Sequence, residues 1–439
     1  MNLDDFDYSN KVMMAPMVRA GRTPLRVLAL DYGADVCYTE EIVDQKLLSC
    51  NRVENEALGT IDYCMLDDVV LRVAPKQEKN KCVLQIGTNN GKNAAEVAVK
   101  IGKDVSAIDV NMGCPKPFSV HQGMGAALLQ ETDKIKDILC SLKAAASVPI
   151  SCKIRVLDDP HLTLNLVREI EKCGVSAIGV HGRRRDERNP DRCRLEEIRE
   201  VVRTVSVPII ANGISGEVND FEDISKFKSQ TGASSVMIAR KALQNPSIFR
   251  KEGLLTMEND IVNFLAKACE FDESYTMTKY VVQRILGSEQ EHDVRGKATV
   301  AAGSVLEICK AWSVEHVYEE FRQKRARQQC KRKYDEEEDG TRYIDITFPL
   351  KKLREPRNLN VSPKTVLHDY LKEKGQEKAS YSWIRRDIDK RYEGVVVVNG
   401  QKFSSRKGQP NIKMAEQVAA LSALIGMNIR DRLKGEWEE

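Results

Sequence analysis

Between residues 11 and 240 short apolar runs of strand character return again and again, with helical stretches between them. Eight such runs stand at 12–17, 34–39, 82–86, 107–111, 150–155, 177–181, 208–212 and 235–239. Runs such as Ala107-Ile108-Asp109-Val110 are continuous rather than alternating, which marks strands covered on both faces. Amphipathic helices fit at 25–30, 93–100, 133–145, 162–172 and 195–205. Gly33, Gly102 and Gly174 fall where such helices end and the chain turns back toward a strand. Alternating strands and helices demand a parallel sheet. Eight repeats within the first 240 residues match the size of a (β/α)8 TIM barrel, the α/β fold class expected here. An open doubly wound sheet is the competing arrangement. Against it, Met14-Ala15-Pro16-Met17 follows the first run, where a dinucleotide-binding sheet would carry a Gly-rich turn.

Beyond the barrel, expected over 1–245, the pattern turns helical throughout 246–330. Helices are expected at 261–271, 278–286 and 296–311. Lys331-Arg332-Lys333-Tyr334-Asp335-Glu336-Glu337-Glu338-Asp339-Gly340 has almost nothing to bury and opens a charged linker expected over 331–360. A tail domain over 361–430 follows. It reads as a helix at 363–374 ended by Gly375, a strand at 380–388, a hairpin at 394–403 turning on Asn399-Gly400, and a second helix at 411–426.

The 439-residue chain is 42% hydrophobic and 30% charged, ordinary for a globular protein of two or three domains. It has no apolar run of bilayer length, so no membrane partner is expected. An acidic start, Asp4-Asp5-Phe6-Asp7, is unlike a signal or transit peptide. The 12 cysteines are scattered without a Cys-x-x-Cys pair, so neither a metal site nor a disulfide framework is expected, and a reducing, cytoplasmic setting is. Charge is unevenly placed. Lys and Arg outnumber Asp and Glu by 13 to 7 over 361–430, against 55 to 58 elsewhere. A basic tail on a near-neutral body suits a polyanion partner.

The expected strand ends carry the chemistry. Pro16 and Met17, Gln85, Asn111 with Cys114, Lys153, His181, Asn212 with Gly213, and Ala239 with Arg240 all fall there. Each has a bland counterpart: a lysine after a strand is usually solvated, a lone histidine or cysteine usually structural. On one face of one barrel they become a site. Positions after strands seven and eight are where barrels commonly hold phosphate, and Gly213 and Arg240 suit that task. Gln85, Lys153 and His181 suit a polar ring, with the lysine cation near the electron-rich end of a flavin. Cys114, after Asp109-Val110-Asn111-Met112-Gly113 and before Pro115-Lys116, is placed to be a nucleophile or a proton donor. The Gly123-Met124-Gly125-Ala126 segment is expected to open a helix beside it.

Those segments, with Ala15-Pro16-Met17-Val18-Arg19, Cys152-Lys153-Ile154-Arg155, Val180-His181-Gly182-Arg183 and Ala211-Asn212-Gly213, strongly resemble the tRNA-dihydrouridine synthases over about residues 11–311. The added tail resembles the double-stranded-RNA-binding domain of the eukaryotic dihydrouridine synthase 2 type. The resemblance implies FMN as cofactor, NADPH as reductant, and reduction of the C5–C6 bond of a D-loop uridine in tRNA, at position 20. It places Pro16, Met17, Val18, Gln85, Lys153, His181, Asn212, Gly213, Ala239 and Arg240 around FMN, Asn111 and Arg155 beside the substrate, and Cys114 as proton donor to C5. Lys402, Arg406, Lys407 and Lys413 would meet double-stranded RNA. The second tail helix departs from the usual Lys-Lys-x-Ala-Lys, reading Ile412-Lys413-Met414-Ala415-Glu416. A monomer is expected. Two other readings stay open: a small-molecule flavin oxidoreductase resembling the dihydroorotate dehydrogenases, and a non-catalytic RNA-binding protein with the barrel as scaffold.

Overall fold

The computed structural model describes residues 6–65, 68–187, 191–214, 216–329, 340–344, 362–386 and 390–429. They belong to two units, one formed by Met1–Met65 with Val69–Arg325, the other mainly by Ala326–Glu439.

In chain order the strands of the first unit are β1 (Val12–Met14), β2 (Val36–Tyr38), β3 (Ile42–Val43), β4 (Asn51–Asn55), β5 (Thr60–Met65), β6 (Asp68–Val73), β7 (Cys82–Gly87), β8 (Ala107–Asn111), β9 (Ile150–Arg155), β10 (Ala177–His181), β11 (Ile209–Asn212) and β12 (Ser235–Ile238). The sheet runs β2-β1-β12-β11-β10-β9-β8-β7 and closes through β2–β7, making the eight-stranded parallel barrel. The short β3 adds beside the C-terminal end of β7. Strands β7 and β8 are buried at every position, as continuous apolar runs require. An inner layer of Tyr8, Met13, Val36, Tyr38, Val83, Ala107, Ile210 and Met237 fills the barrel, so it is a packed core and not a pore. Parallel register steps the polar residues toward the strand ends in successive levels: Gln85 opposite Asp109, then Asn111 opposite Lys153, then His181 opposite both Arg155 and Asn212.

Two features depart from the sequence expectations. A three-stranded sheet, β4-β5-β6, fills the interval between β3 and β7. Its first strand, Asn51-Arg52-Val53-Glu54-Asn55, is largely polar and solvent-facing, so it has no apolar signature to read. Its place is fixed by ion pairs such as Arg52–Asp104 at 2.7 Å, which ties β4 to the segment before β8. The helix expected over 296–311 is two helices, Val294–Ala301 and Val305–Ala311. Extended backbone at Ala302 breaks the run. Ser304 then accepts from Glu307 N at 3.1 Å while the Glu307 carboxylate accepts from Gly303 N at 2.7 Å, a reciprocal cap that starts a new helix. The Gly123–Ala126 segment opens a helix as expected, the 3-10 helix Gly125–Gln130.

The helical part of this unit continues with Met257–Glu270, Tyr275–Leu286 and, after the split pair, Glu315–Gln329.

In the second unit the strands are β13 (Thr341–Tyr343), β14 (Ser380–Arg385), β15 (Tyr392–Val398) and β16 (Gln401–Ser404), ordered β13-β16-β15-β14. Helices Pro363–Glu373 and Ile412–Gly426 pack on the sheet through Leu367, Leu371, Ala419 and Leu424 against Val396 and Phe403. Asn399 and Gly400 both have positive φ, 49° and 81°, as the tight turn between β15 and β16 needs. The expected sheet of three strands has a fourth. β13 pairs parallel to β16 and comes from the stretch expected to be charged linker; the rest of that stretch, 331–339 and 345–360, lies outside the described residues. No helix among the described residues is long and apolar enough to cross a membrane.

Candidate active site

A cavity of about 380 Å³ opens at the C-terminal ends of the barrel strands. Pro16, Val18, Gln85, Asn111, Cys114, Lys153, Arg155, His181, Asn212, Gly213, Ala239 and Arg240 all line it. Met17 does not; its side chain packs on the hydrophobic core, and its carbonyl accepts from Gly21 N at 2.7 Å to turn the chain after β1. The cavity also includes Glu41, Lys116, Arg183 and Glu187, which sequence reasoning passed over.

A buried chain of hydrogen bonds runs from the barrel core to the cysteine. Tyr8 Oη donates to Ser151 Oγ at 3.0 Å, and Ser151 Oγ to Asp109 Oδ1 at 2.7 Å. Gln85 Nε2 donates to the other Asp109 oxygen at 2.8 Å, and Asn111 Nδ2 to Gln85 Oε1 at 2.9 Å. Asn111 Oδ1 then accepts from the backbone N–H groups of Gly113 and Cys114 at 3.0 and 2.9 Å. Asn111 is therefore the clamp that fixes the loop carrying the thiol. Arg155 holds the same loop from β9, its Nε donating to Gly113 O at 2.8 Å. The Cys114 carbonyl accepts from Ala126 N at 2.9 Å. Glycine at 125 is dictated by this fold-back: its φ is +59°, and a Cβ there would stand 2.7 Å from the Cys114 carbonyl oxygen.

Charge in the cavity is unbalanced toward positive. Lys153 is buried, and burial together with the Arg155 guanidinium pulls its ammonium down to about 8. Burial and the surrounding Lys153, Arg155, Arg183 and Arg240 push His181 well below its ordinary value, so the ring is neutral; its Nδ1 accepts from Arg183 N at 3.2 Å. Arg240, too, is lowered by burial and by Arg183. Two guanidiniums that disfavour each other at the ends of β10 and β12 define a place for an anion. At the end of β11, Asn212 Nδ2 donates to Met237 O at 2.9 Å, and the Gly213 carbonyl accepts from Arg183 Nη1. Gly213 has φ +137°, and a Cβ there would lie 2.6 Å from Cys193 Sγ. A phosphate-bearing, electron-poor ring system that turns anionic on reduction fits this set of donors and cations.

The thiol of Cys114 lines the same cavity as these cations. Burial, and then the Glu41 carboxyl beside it, push Cys114 up to about 11. It is a protonated thiol at neutral pH, suited to giving a proton and not to acting as a thiolate nucleophile.

The tail residues lie in the second unit. Arg406 and Lys413 are exposed, and Lys402 and Lys407 half-buried. The Arg406 guanidinium stacks over the Tyr343 ring at 4.9 Å. Glu416, at the departure from the usual basic motif, pairs with Lys364 at 2.6 Å, and Lys364 also lies 4.3 Å over the Tyr381 ring. The altered residue thus has a partner inside the tail domain, between its two helices.

A parallel barrel with a thiol and a cation cluster at its strand ends, followed by helices and a small α/β tail, defines a TIM-barrel protein with a strand-end site for a phosphate-bearing ligand and an appended domain. The dihydrouridine synthase family matches residues 13–339, and the double-stranded RNA binding motif matches 363–426. The chain belongs to the dihydrouridine synthase family. It is 40% identical over 322 residues to a tRNA-dihydrouridine(20) synthase [NAD(P)+] of Schizosaccharomyces pombe, covering 71% of this chain and 66% of that one. It is 37% identical over 298 residues to the protein of the same name from Saccharomyces cerevisiae, covering 64% of this chain and 78% of that one. A crystal structure of a tRNA-dihydrouridine(20) synthase dsRBD domain aligns at 23% identity, over 20% of this chain and 89% of that one, with a TM-score of 0.18.

Proposed function

We propose that the chain is a tRNA-dihydrouridine synthase: it reduces the C5–C6 double bond of a tRNA uridine to 5,6-dihydrouridine, with FMN bound in the barrel and NADPH as reductant. Position 20 of the D-loop is the target inferred from the two yeast relatives. The observation that carries this reading is the thiol of Cys114, its loop pinned by Asn111, held protonated in a cavity that also gathers Lys153, Arg155, Arg183 and Arg240.

FMN, when bound, supplies the hydride for C6. The residues present fit it: Arg240, Arg183 and the Gly213 backbone suit the phosphate, while Lys153 and the neutral His181 suit the polar edge of the ring. Gln85 and Asn212 already spend amide groups on the barrel, which fixes their remaining donors and acceptors toward the cavity. Lys153, its ammonium disfavoured by burial and by Arg155, regains a reason to hold its proton once negative charge arrives on the ring. Cys114 gives its proton to C5, where negative charge builds as C6 is attacked. The uridine must leave its stack to reach the cavity, which costs a few kcal/mol, so binding surface outside the barrel is required. The basic tail, with its double-stranded-RNA-binding fold, supplies that surface.

The test is purified protein, NADPH and unmodified tRNA, with dihydrouridine read by mass spectrometry. Cys114→Ala should retain FMN and lose about 10²–10⁴-fold in single-turnover rate, the usual cost of removing a general acid. Product at wild-type rate from this variant would remove the proton-donor assignment. Turnover on free uridine and none on tRNA would favour the small-molecule reading instead.

A further inference from the structure

Glu41 stands just beyond β2, on the turn leading to β3. Only 8% of it is exposed, and it lines the same cavity as Cys114. One carboxyl oxygen, Oε1, accepts from Ser119 Oγ at 2.9 Å. The other, Oε2, is buried and has no hydrogen-bond partner. Leaving a carboxylate oxygen unpaired inside a protein costs energy unless something is meant to meet it. The thiol of Cys114 is beside it.

The surroundings hold the carboxyl there. Ser119, itself fully buried, is fixed by its N–H to Lys116 O at 3.0 Å and by its carbonyl accepting from Met124 N at 3.0 Å. The loop carrying Cys114 and the donor that orients Glu41 are therefore one folded piece. On the opposite side a Cβ at position 87 would lie 2.8 Å from Glu41 Oε1, so Gly87 leaves the space the carboxyl occupies.

We propose that Glu41 is a positioning residue for the general acid: it keeps Cys114 in its thiol form and returns a proton to the sulfur after each turnover. The inference rests on the reading of Cys114 as proton donor. The two groups act on each other, and their protons leave in two steps. Burial raises the Glu41 carboxyl above its ordinary value, and burial with Glu41 raises the thiol. Between the two steps the pair holds one proton, and it sits on sulfur. When the thiol proton goes to C5, a thiolate is left against a carboxylate. That doubly anionic pair takes one proton from solvent water, through the carboxyl to sulfur, and the original state is restored with hydroxide left in solvent. Cations also face this pair: Lys116 on its own loop, and Lys153 and Arg155 on β9. His181, Arg183, Glu187 and Arg240 line the same cavity. The lysines and arginines among them favour thiolate, and burial together with the acidic neighbour keeps the sulfur protonated against them.

Glu41→Gln tests this in the FMN-loaded protein. Alkylation of Cys114 by iodoacetamide, followed peptide by peptide by mass spectrometry, reads the thiolate without any tRNA. The variant should alkylate about fivefold faster or more at pH 8.5, with its pH midpoint moved down, because a neutral amide no longer repels the thiolate. The alkaline limb of single-turnover dihydrouridine formation should move down with it. If Glu41→Gln disturbs FMN retention, Ser119→Ala removes the donor that favours the anionic form of both groups and should move the midpoint up instead. An alkylation midpoint unchanged in both variants overturns the proposal. Failure of the proton-donor reading would appear elsewhere, as full activity of Cys114→Ala with the alkylation shift still present.

Discussion

Asn111 spends its whole amide on architecture: Nδ2 donates to Gln85, and Oδ1 accepts from the N–H groups of Gly113 and Cys114. It lines the cavity, and the geometry makes it first of all the clamp for the thiol. Asn111→Ala would orphan two buried N–H groups, each worth about 1–3 kcal/mol. FMN should remain bound, because the cation cluster is untouched, and kcat should fall while the apparent KM for tRNA changes little; a rise in KM alone would speak against the clamp. Lys153 gives a pH prediction. Its pKa is pulled down to about 8, below the ordinary lysine value, so it carries charge below that pH and loses it as pH rises through it. Affinity for FMN should therefore be greatest at and below neutral pH and weaken as pH passes about 8. Lys153→Met should bind FMN more weakly near neutral pH and show no such decline, which titration by flavin fluorescence on either side of that pKa will read. An identical decline in the variant would assign the effect to another group.

Elements explain what can and cannot be read from residues. The barrel strands are legible because each is buried on both faces and has to be a continuous apolar run. Strand ends then locate the cavity residues without any knowledge of their side-chain contacts. The β4-β5-β6 sheet leaves no such trace, since exposed strands rich in Asn, Arg and Glu look like loop. Glu41 escapes notice for a related reason: a glutamate after a strand is ordinarily a solvated residue. A signal is present all the same, because β2 is the one barrel strand whose C-terminal end carries no expected site residue. The split of the helix expected over 296–311 is written in Gly303-Ser304 with Glu307, a cap signature masked by apolar periodicity on both sides. The anion end is also a property of elements. Gly213 ends β11 with φ +137° and its missing side chain is filled by Cys193 from the segment after β10. Gly213→Ala should therefore strain the backbone and push that segment off the cavity, and Arg240→Ala should remove a charged partner worth about 1.5–3 kcal/mol. Both should purify with reduced FMN content, Arg240→Ala without loss of thermal stability in the flavin-free form and Gly213→Ala with it; full flavin occupancy in Arg240→Ala would count against the phosphate site.

At the scale of the molecule, the proposed function divides chemistry and grip between the two units. Every residue lining the cavity, from Ala15 to Arg240, belongs to the first unit. The excess of basic residues belongs to the tail, where Lys and Arg outnumber Asp and Glu by 13 to 7 over 361–430. Part of that excess is already committed, because Lys364 pairs with Glu416. The exposed candidates are Lys372, Lys374 and Lys378 near the first tail helix and Arg406 and Lys413 near the second. A chain ending after Gln329 should keep FMN and oxidise NADPH at the full-length rate while binding tRNA far more weakly. Phosphate contacts release counterions, so each one lost should lower the slope of log K against log salt by about 0.7–0.9. Arg406→Ala with Lys413→Ala should flatten the slope by about 1.4–1.8 if both meet phosphate. These contacts hold the tRNA equally before and during reaction, so the double variant should raise KM and leave kcat near wild type. Glu416→Lys, which restores one basic position of the usual motif but frees Lys364 beside it, should instead steepen the slope. Equal affinity and equal salt slope with and without the tail would overturn the division, and would leave the polyanion to be held by the first unit alone.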